Sequence, residues 1–188
     1  MLYRTEKYRY AKRLGHAVSH VEQPEYKLIN SKGNIELRDY SPMILAEVDV
    51  LGERKQAARK GFKILANYIF GNNASETKME MTAPVIEEQV MNKWKVRFVM
   101  PKKYSFETLP KPNAKEVTLV QLPAKRFAVI QFTGLPDEEN LKDQAHQLKA
   151  YILAENLVPL GGAILAFYNR PSTPPLLRRN EVMIEIRN

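Results

Sequence analysis

The chain predicts an α+β fold: a curved antiparallel sheet built from two pseudo-symmetric β-α-β-β repeats and flanked by two long amphipathic helices. Three observations carry this expectation. Apolar residues at Ala58, Phe62, Leu65 and Ile69 follow the i, i+4, i+7, i+11 pattern of a helix face. Leu141, Ala145, Leu148 and Ile152 repeat it 83 residues later, and Tyr68 and Tyr151 keep the same offset. Strand-like segments outnumber these helices by about nine to two, and each helix is preceded by one strand and followed by a pair.

The elements follow in order. Residues 1–22 form a basic tail: within residues 1–20, Arg4, Lys7, Arg9, Lys12 and Arg13 stand against Glu6, so half of the net charge of +8 lies in that stretch. Such a tail is expected to be a solvated extension or a partner-docking arm, with anionic lipid or nucleic acid as weaker alternatives. Strands are expected at "YKLI" and "IELRDY", joined by a hairpin in which Gly33 and Asn34 supply positive φ. "MILAEVDV" alternates Ile44, Ala46, Val48 and Val50 against Leu45, Glu47 and Asp49.

Gly52 leads into a helix over about Glu53 to Phe70, which Gly71 ends. "KMEMTAPVIE" and "WKVRFVM" form the next pair, with Met79 and Met81 turned inward as core and Glu80 and Thr82 turned out. "PKKYSFETLPKPNAK" connects the repeats. The second unit runs through "VTLVQL", the more apolar "RFAVIQF", Gly134, and a helix over about Glu138 to Glu155 with Asp137 as N-cap. It closes on "AILAFY" and "EVMIEI". Residues 23–188 read as one domain, with repeats over about 26–100 and 117–188.

Composition narrows the chemistry. Of the 188 residues 44% are hydrophobic and 27% charged, a balance suited to a sizeable core. With no cysteine, disulfides, thiolate metal sites and cysteine nucleophiles are excluded. No apolar run approaches the ~20 residues of a membrane span, and nothing resembles a signal peptide, so a cytoplasmic location is expected. There is no H-E-x-x-H or P-loop pattern. His146 is the single histidine of the body and lies off the apolar stripe of its helix, as a surface residue would.

"RDYSPMILAEV", "GFKILANYIFGNN", "KMEMTAPV", "VRFVMP" and "NRPSTPPLLRRNEV" occur in order from about Tyr26 to Ile186 and closely resemble the SOUL family of haem-binding proteins. The resemblance implies a distorted antiparallel β-barrel and non-enzymatic binding of haem or a related tetrapyrrole in an apolar cleft. That cleft lies beside the first helix and the proline-rich loop before the last strand. Carried onto this chain, it draws on Arg59, Phe62 and Lys63 of the helix and on Tyr168, Arg170, Leu176 and Leu177 around the loop. Haem needs a flat apolar slot, cations for its propionates and, where iron is held strongly, an axial ligand. Arg59, Lys60, Lys63, Arg170, Arg178 and Arg179 could serve as the cations, although Arg178 and Arg179 beside Glu181 also suit structural ion pairs. Where some relatives carry a histidine before the tyrosine of "RDYSP", this chain has Asp39, with Tyr40 and Met43 as neighbouring alternatives. Binding through packing and propionate contacts, with weak or no iron ligation, is therefore expected.

Two other functions stay open. One is a small-molecule-binding or hydrolase domain that uses a cleft carboxylate, with Glu80, Glu87 and Glu88 as its nearest carboxylates. The other is a protein-interaction scaffold that docks through the basic tail. Nucleic-acid binding is not expected, because the body has no clustered basic stripe with interleaved aromatics.

Overall fold

The computed structural model describes residues 21–188. Nine strands form one antiparallel sheet: β1 (Tyr26–Lys32), β2 (Ile35–Tyr40), β3 (Met43–Leu51), β4 (Val85–Val90), β5 (Lys93–Val99), β6 (Thr118–Leu122), β7 (Lys125–Phe132), β8 (Ile164–Phe167) and β9 (Asn180–Ile186). Helix α1 (Arg54–Ile69) packs on β3 and β5, and α2 (Glu138–Ala154) packs on β7 and β9. The spatial order is β1-β2-β7-β9-β8-β4-β5-β3-β6, and the sheet curls into a half-barrel whose end strands do not pair.

This order makes the duplication visible. Within it, β4-β5-β3 and β8-β9-β7 are the same arrangement, meeting back to back where β4 pairs with β8. The strand that precedes each repeat is exchanged: β2 pairs with β7 of the second half, and β6 pairs with β3 of the first. The two halves are thus stitched together by main-chain ladders.

Strand periodicity sorts side chains onto two faces. On the helix-bearing face, Ala46, Val48, Val96 and Phe98 pack with Leu65 and Tyr68 of α1. Ala128, Ile130, Val182 and Ile184 pack with Leu148 and Ile152 of α2. Leu65 and Leu148, equivalent under the 83-residue offset, are both fully buried, each contributing about 1.5–3 kcal/mol through burial. Trp94 packs against both cores. The concave face carries a third cluster around Tyr40, Phe127, Val129, Ala166 and Met183. β7, buried on both faces, matches its continuous apolar run.

Several expectations are confirmed and others corrected. Asp137 caps α2, its carboxylate accepting from the Asn140 N–H at 2.9 Å. The α1 stripe holds at Leu65 and Ile69, but its first half is turned by one position: Ala57 and Gly61 face the sheet in place of Ala58 and Phe62, and Phe62 is 40% exposed. Gly61 lets the helix axis approach Val96 closely, which rotates the buried face toward it. The strand expected over "KMEMTAPVIE" begins only at Val85. Met79 is core and Met81 packs against it as expected. Thr82, expected outward, is buried with its hydroxyl donating to the Val99 carbonyl at 2.6 Å. In the β1–β2 hairpin only Gly33 has positive φ, which a type II′ turn asks of its first central residue. The 101–115 connector is also more than a link, because Leu109 and Tyr104 join the first core.

Candidate functional site

The outer, helix-bearing face carries an apolar strip at one end of the sheet. Phe62 of α1 stands edge-on to Phe98, with centroids 5.3 Å apart. Phe98 is the cross-strand partner of Val85, and Val85 is the partner of Phe167 on β8. Beyond Phe167 the chain enters the 169–179 loop, which contains a single 3-10 turn over Pro175–Leu177. Its conformation is fixed by hydrogen bonds within the loop and to Gly134. The Gly134 N–H donates to the Pro175 carbonyl at 2.9 Å, Arg178 Nε donates to the Thr173 carbonyl at 2.8 Å, and the Arg179 N–H donates to Asn169 Oδ1 at 2.6 Å. Leu176 and Leu177 project from this loop with 81% and 49% exposure, large values for apolar side chains so firmly positioned.

Six of the seven residues expected from the sequence lie on exposed surface of α1 or of this loop: Arg59, Phe62, Lys63, Arg170, Leu176 and Leu177. The side chains of Arg59, Lys63 and Arg170 make no hydrogen bond or ion pair among the described residues. Arg54, Arg97, Arg126 and Arg179, by contrast, are occupied structurally. Arg59, Lys63 and Arg170 therefore lie uncommitted on the same two elements as the exposed apolar residues. Tyr168 stands apart. Strand alternation sends Phe167 to the outer face and Tyr168 to the concave one, where its hydroxyl donates to Glu181 Oε2 at 2.7 Å. It cannot line a slot with Phe62.

Iron ligands are a separate matter. Asp39 is gripped by Arg126 through two hydrogen bonds of 2.6 and 2.7 Å, which hold its carboxyl below the usual range. The Tyr40 hydroxyl is pushed up to about 12, by burial and then by Glu181, so it is not a ready phenolate. Met43 lines the concave face and His146 is exposed on α2. His16 and His20 lie outside the described residues. No group of three or more His, Cys, Asp or Glu side chains gathers among the described residues. The donor set thus suits the carboxylates and ring of a tetrapyrrole, and offers its iron no strong ligand at the strip.

The concave face holds a polar cluster that sequence reasoning did not assemble. Glu181 is fully buried. Both its oxygens accept from Arg38 at 3.0 Å, while Arg179 donates through Nε at 3.0 Å and Nη2 at 2.8 Å. Arg38 Nη1 also donates to the Tyr40 hydroxyl at 2.9 Å, and Nε to Glu36 at 2.8 Å. The Arg179 guanidinium stacks 3.9 Å from the Tyr168 ring centroid. Burial pushes the Glu181 carboxyl up, but Arg179 and Arg38 outweigh it, and the net displacement is downward. The pairing of Arg179 with Glu181 was among the sequence expectations. That of Arg38 was not, because it depends on β2 lying beside β7.

Comparison with known proteins bears on family and fold. The family model described as SOUL heme-binding protein matches residues 21–185. No curated protein sequence matches the chain. Among solved structures, the EcmrR C-terminal domain is similar over 87% of this chain and 98% of that one, with TM-score 0.64 and 9% identity. A hydrolase from Listeria innocua is similar over 85% and 94% of the respective chains, with TM-score 0.58 and 13% identity. At these identities the two structures bear on the fold alone. The family model spans nearly all of the described residues, and the chain belongs to the SOUL heme-binding protein family.

Proposed function

We propose that this protein binds haem or a related tetrapyrrole, without catalysis, on the outer strip between α1 and the 169–179 loop. The observation that carries this reading is the coincidence of exposed Phe62, Leu176 and Leu177 with the uncommitted cations Arg59, Lys63 and Arg170. Haem would bring two carboxylates on one edge of an apolar plate, and an iron. Arginine holds a carboxylate in a bidentate fork better than lysine does, so Arg59 and Arg170 are assigned to the propionates and Lys63 to a supporting role. Phe62, Leu176 and Leu177 supply the apolar contact. Tyr168 acts from beneath, holding the end of β8 through Glu181 and so fixing where the loop departs.

The carboxylates considered for a hydrolytic site are each ion-paired: Glu80 with Lys103 at 3.3 Å, Glu87 with Arg54 at 2.9 Å and Glu88 with Arg97 at 2.7 Å. Each carboxylate is thus tied to a cation, which favours binding over hydrolysis. No helix among the described residues is long and apolar enough to cross a membrane. A cytoplasmic tetrapyrrole binder that does not engage nucleic acid completes the proposal, and docking of a protein partner belongs to the basic tail, whose residues 1–20 lie outside the described residues.

Absorbance titrations with haemin and with metal-free protoporphyrin test the mode of binding. Affinities equal within about threefold are expected, because the iron is not strongly held. A bis-histidine spectrum, or a tenfold loss on His146→Ala, contradicts the assignment. The double variant Arg59→Ala/Arg170→Ala is expected to weaken haemin about tenfold or more, since sheltered charge-assisted hydrogen bonds contribute roughly 1.5–3 kcal/mol each. The dimethyl ester of the porphyrin is expected to bind parent and variant alike. Equal haemin binding by parent and variant would move the anchors elsewhere.

A further inference from the structure

The concave face, opposite α1 and α2, holds an open cavity of about 240 Å³ that spans both halves of the sheet. Its walls are chiefly apolar, formed by Leu45, Phe127, Ile164 and Met183 among others. An apolar cavity of ~150 Å³ takes up benzene, and pockets for drug-sized ligands start near 300 Å³. Two fused rings fit here, and a tetrapyrrole does not.

The charges at its rim are already matched. Arg97 bridges Glu47 at 3.0 Å and Glu88 at 2.7 Å, and Lys125 holds Glu185 at 2.6 Å. Behind the wall, Glu181 is shared between Arg38 and Arg179. An incoming cation or anion would have to displace one of these partners, so the cavity favours a neutral occupant.

One polar valence is left over. Tyr40 is only 3% exposed, and its hydroxyl accepts from Arg38, which can only donate. Its own hydrogen reaches no acceptor among the described residues. Tyr168, the other phenol of the lining, has already spent its hydrogen on Glu181. A buried donor without an acceptor is costly unless a ligand satisfies it.

We propose that this cavity is a second ligand site, which takes a neutral, largely apolar molecule of bicyclic-aromatic size whose single hydrogen-bond acceptor, such as a carbonyl oxygen, receives the Tyr40 hydroxyl. The site lies on the opposite face from the tetrapyrrole strip and does not depend on it.

The probes are 2-acetylnaphthalene, naphthalene and the cation 2-naphthylmethylammonium, titrated by fluorescence into the full chain. The ketone is expected to saturate at one per chain, and the ammonium compound to bind at least tenfold more weakly. Tyr40→Phe is expected to weaken the ketone about three- to tenfold, the worth of one hydrogen bond, and to leave naphthalene unchanged. Ile164→Trp fills the cavity and is expected to abolish ketone binding while haemin binds as in the parent. Should that variant lose its native circular dichroism, Val120→Phe at the rim serves the same purpose. The proposal is overturned by any of three results: no saturable ketone binding to the parent, an ammonium probe that binds as well as the ketone, or haemin that competes with it. Haemin titration alone decides the outer strip, so the two assignments fail separately.

Discussion

Glu181 is ionised without solvent contact, and its neighbours determine what that does to stability. Its folded-state pKa lies below that of a free glutamate, because Arg179 and Arg38 outweigh the effect of burial. The stabilisation is therefore fully present above the unfolded-state value of ~4.3 and is lost as the pH falls through the lower folded value. Glu181→Gln leaves Arg38, 1% exposed, with its bidentate partner neutralised. Removing one member of a buried pair costs ~3–5 kcal/mol, and Glu181→Gln is expected to lose about 3 kcal/mol in urea denaturation at pH 7. The difference from the parent should narrow progressively below pH about 4; a difference that stays constant into acid would mean that Glu181 acts by shape alone. Period-two alternation in "IELRDY" shows in sequence that Arg38 and Tyr40 share a face. That Glu181 waits opposite them depends on which strand lies next door, and local pattern does not carry that information. Asp39 is a similar case. Its identity argued against iron ligation, but its partner became known only through the Asp39–Arg126 register of β2 and β7.

Helix α1 shows how a single missing side chain sets the placement of an element. A Cβ built on Gly61 lies 2.6 Å from Val96 Cγ2, 2.7 Å from Val96 Cβ and 3.2 Å from Val48 Cγ2. Alanine in a helix interior is favoured over glycine by ~1 kcal/mol, so propensity alone predicts that Gly61→Ala stabilises. Against this, Val96 is fully buried in the middle of β5 and cannot turn aside. Overpacking of a close-packed site costs ~1–3 kcal/mol, and it wins here. Gly61→Ala is expected to lower stability by about 1–2 kcal/mol, and the double variant Gly61→Ala/Val96→Ala to fall short of the sum of the two single losses. A thermal melt in which Gly61→Ala is more stable than the parent would remove the close contact from consideration. Periodicity found both helices to within a residue or two at each end, since amphipathic stripes are local signals. It misplaced the buried face over the first half of α1 by one position, because glycine reads as a weak helix former and its value as a contact point appears only against β5. The "KMEMTAPV" segment misled for a related reason: alternation suggested a strand, but Ala83 bonds to Glu22 and Met79 to Ile69, so no ladder forms before Val85.

At the scale of the whole molecule, the duplication could be read from the 83-residue offset, whereas the exchange of β2 and β6 between halves could not. Pairing across more than eighty residues is chosen by both halves at once, and nothing in either strand names its partner. Side chains also join the repeats at the junction of the helix N-termini. Arg54 and Glu138 are the first residues of α1 and α2, equivalent to within one position of the offset, and they pair at 2.7 Å. Arg54 also donates to Glu87 of β4 at 2.9 Å and to the Pro136 carbonyl at 2.9 Å. One guanidinium thus ties α1, the central strand pair and the start of α2. Burial pushes the Glu87 carboxyl up, and Arg54 opposes this without cancelling it. Arg54→Ala strands that carboxylate in the interior and is expected to cost about 3 kcal/mol or more. Glu87→Gln leaves Arg54 with Glu138 and Pro136, so a loss nearer 1 kcal/mol is expected. Adding Glu87→Gln to Arg54→Ala should then recover part of the loss, because the uncompensated charge is gone. The Glu87 carboxyl itself contributes with the opposite pH dependence from Glu181, although both variants approach the parent in acid. A carboxyl with a raised folded-state pKa favours the folded chain when protonated, so the Arg54→Ala deficit should shrink on acidification from pH 8 to 5. Trp94, the one tryptophan and in contact with both cores, reports unfolding of either half by its fluorescence. A single transition in every variant is expected; a second transition in Arg54→Ala would show that the halves are held together by this residue more than by their exchanged strands.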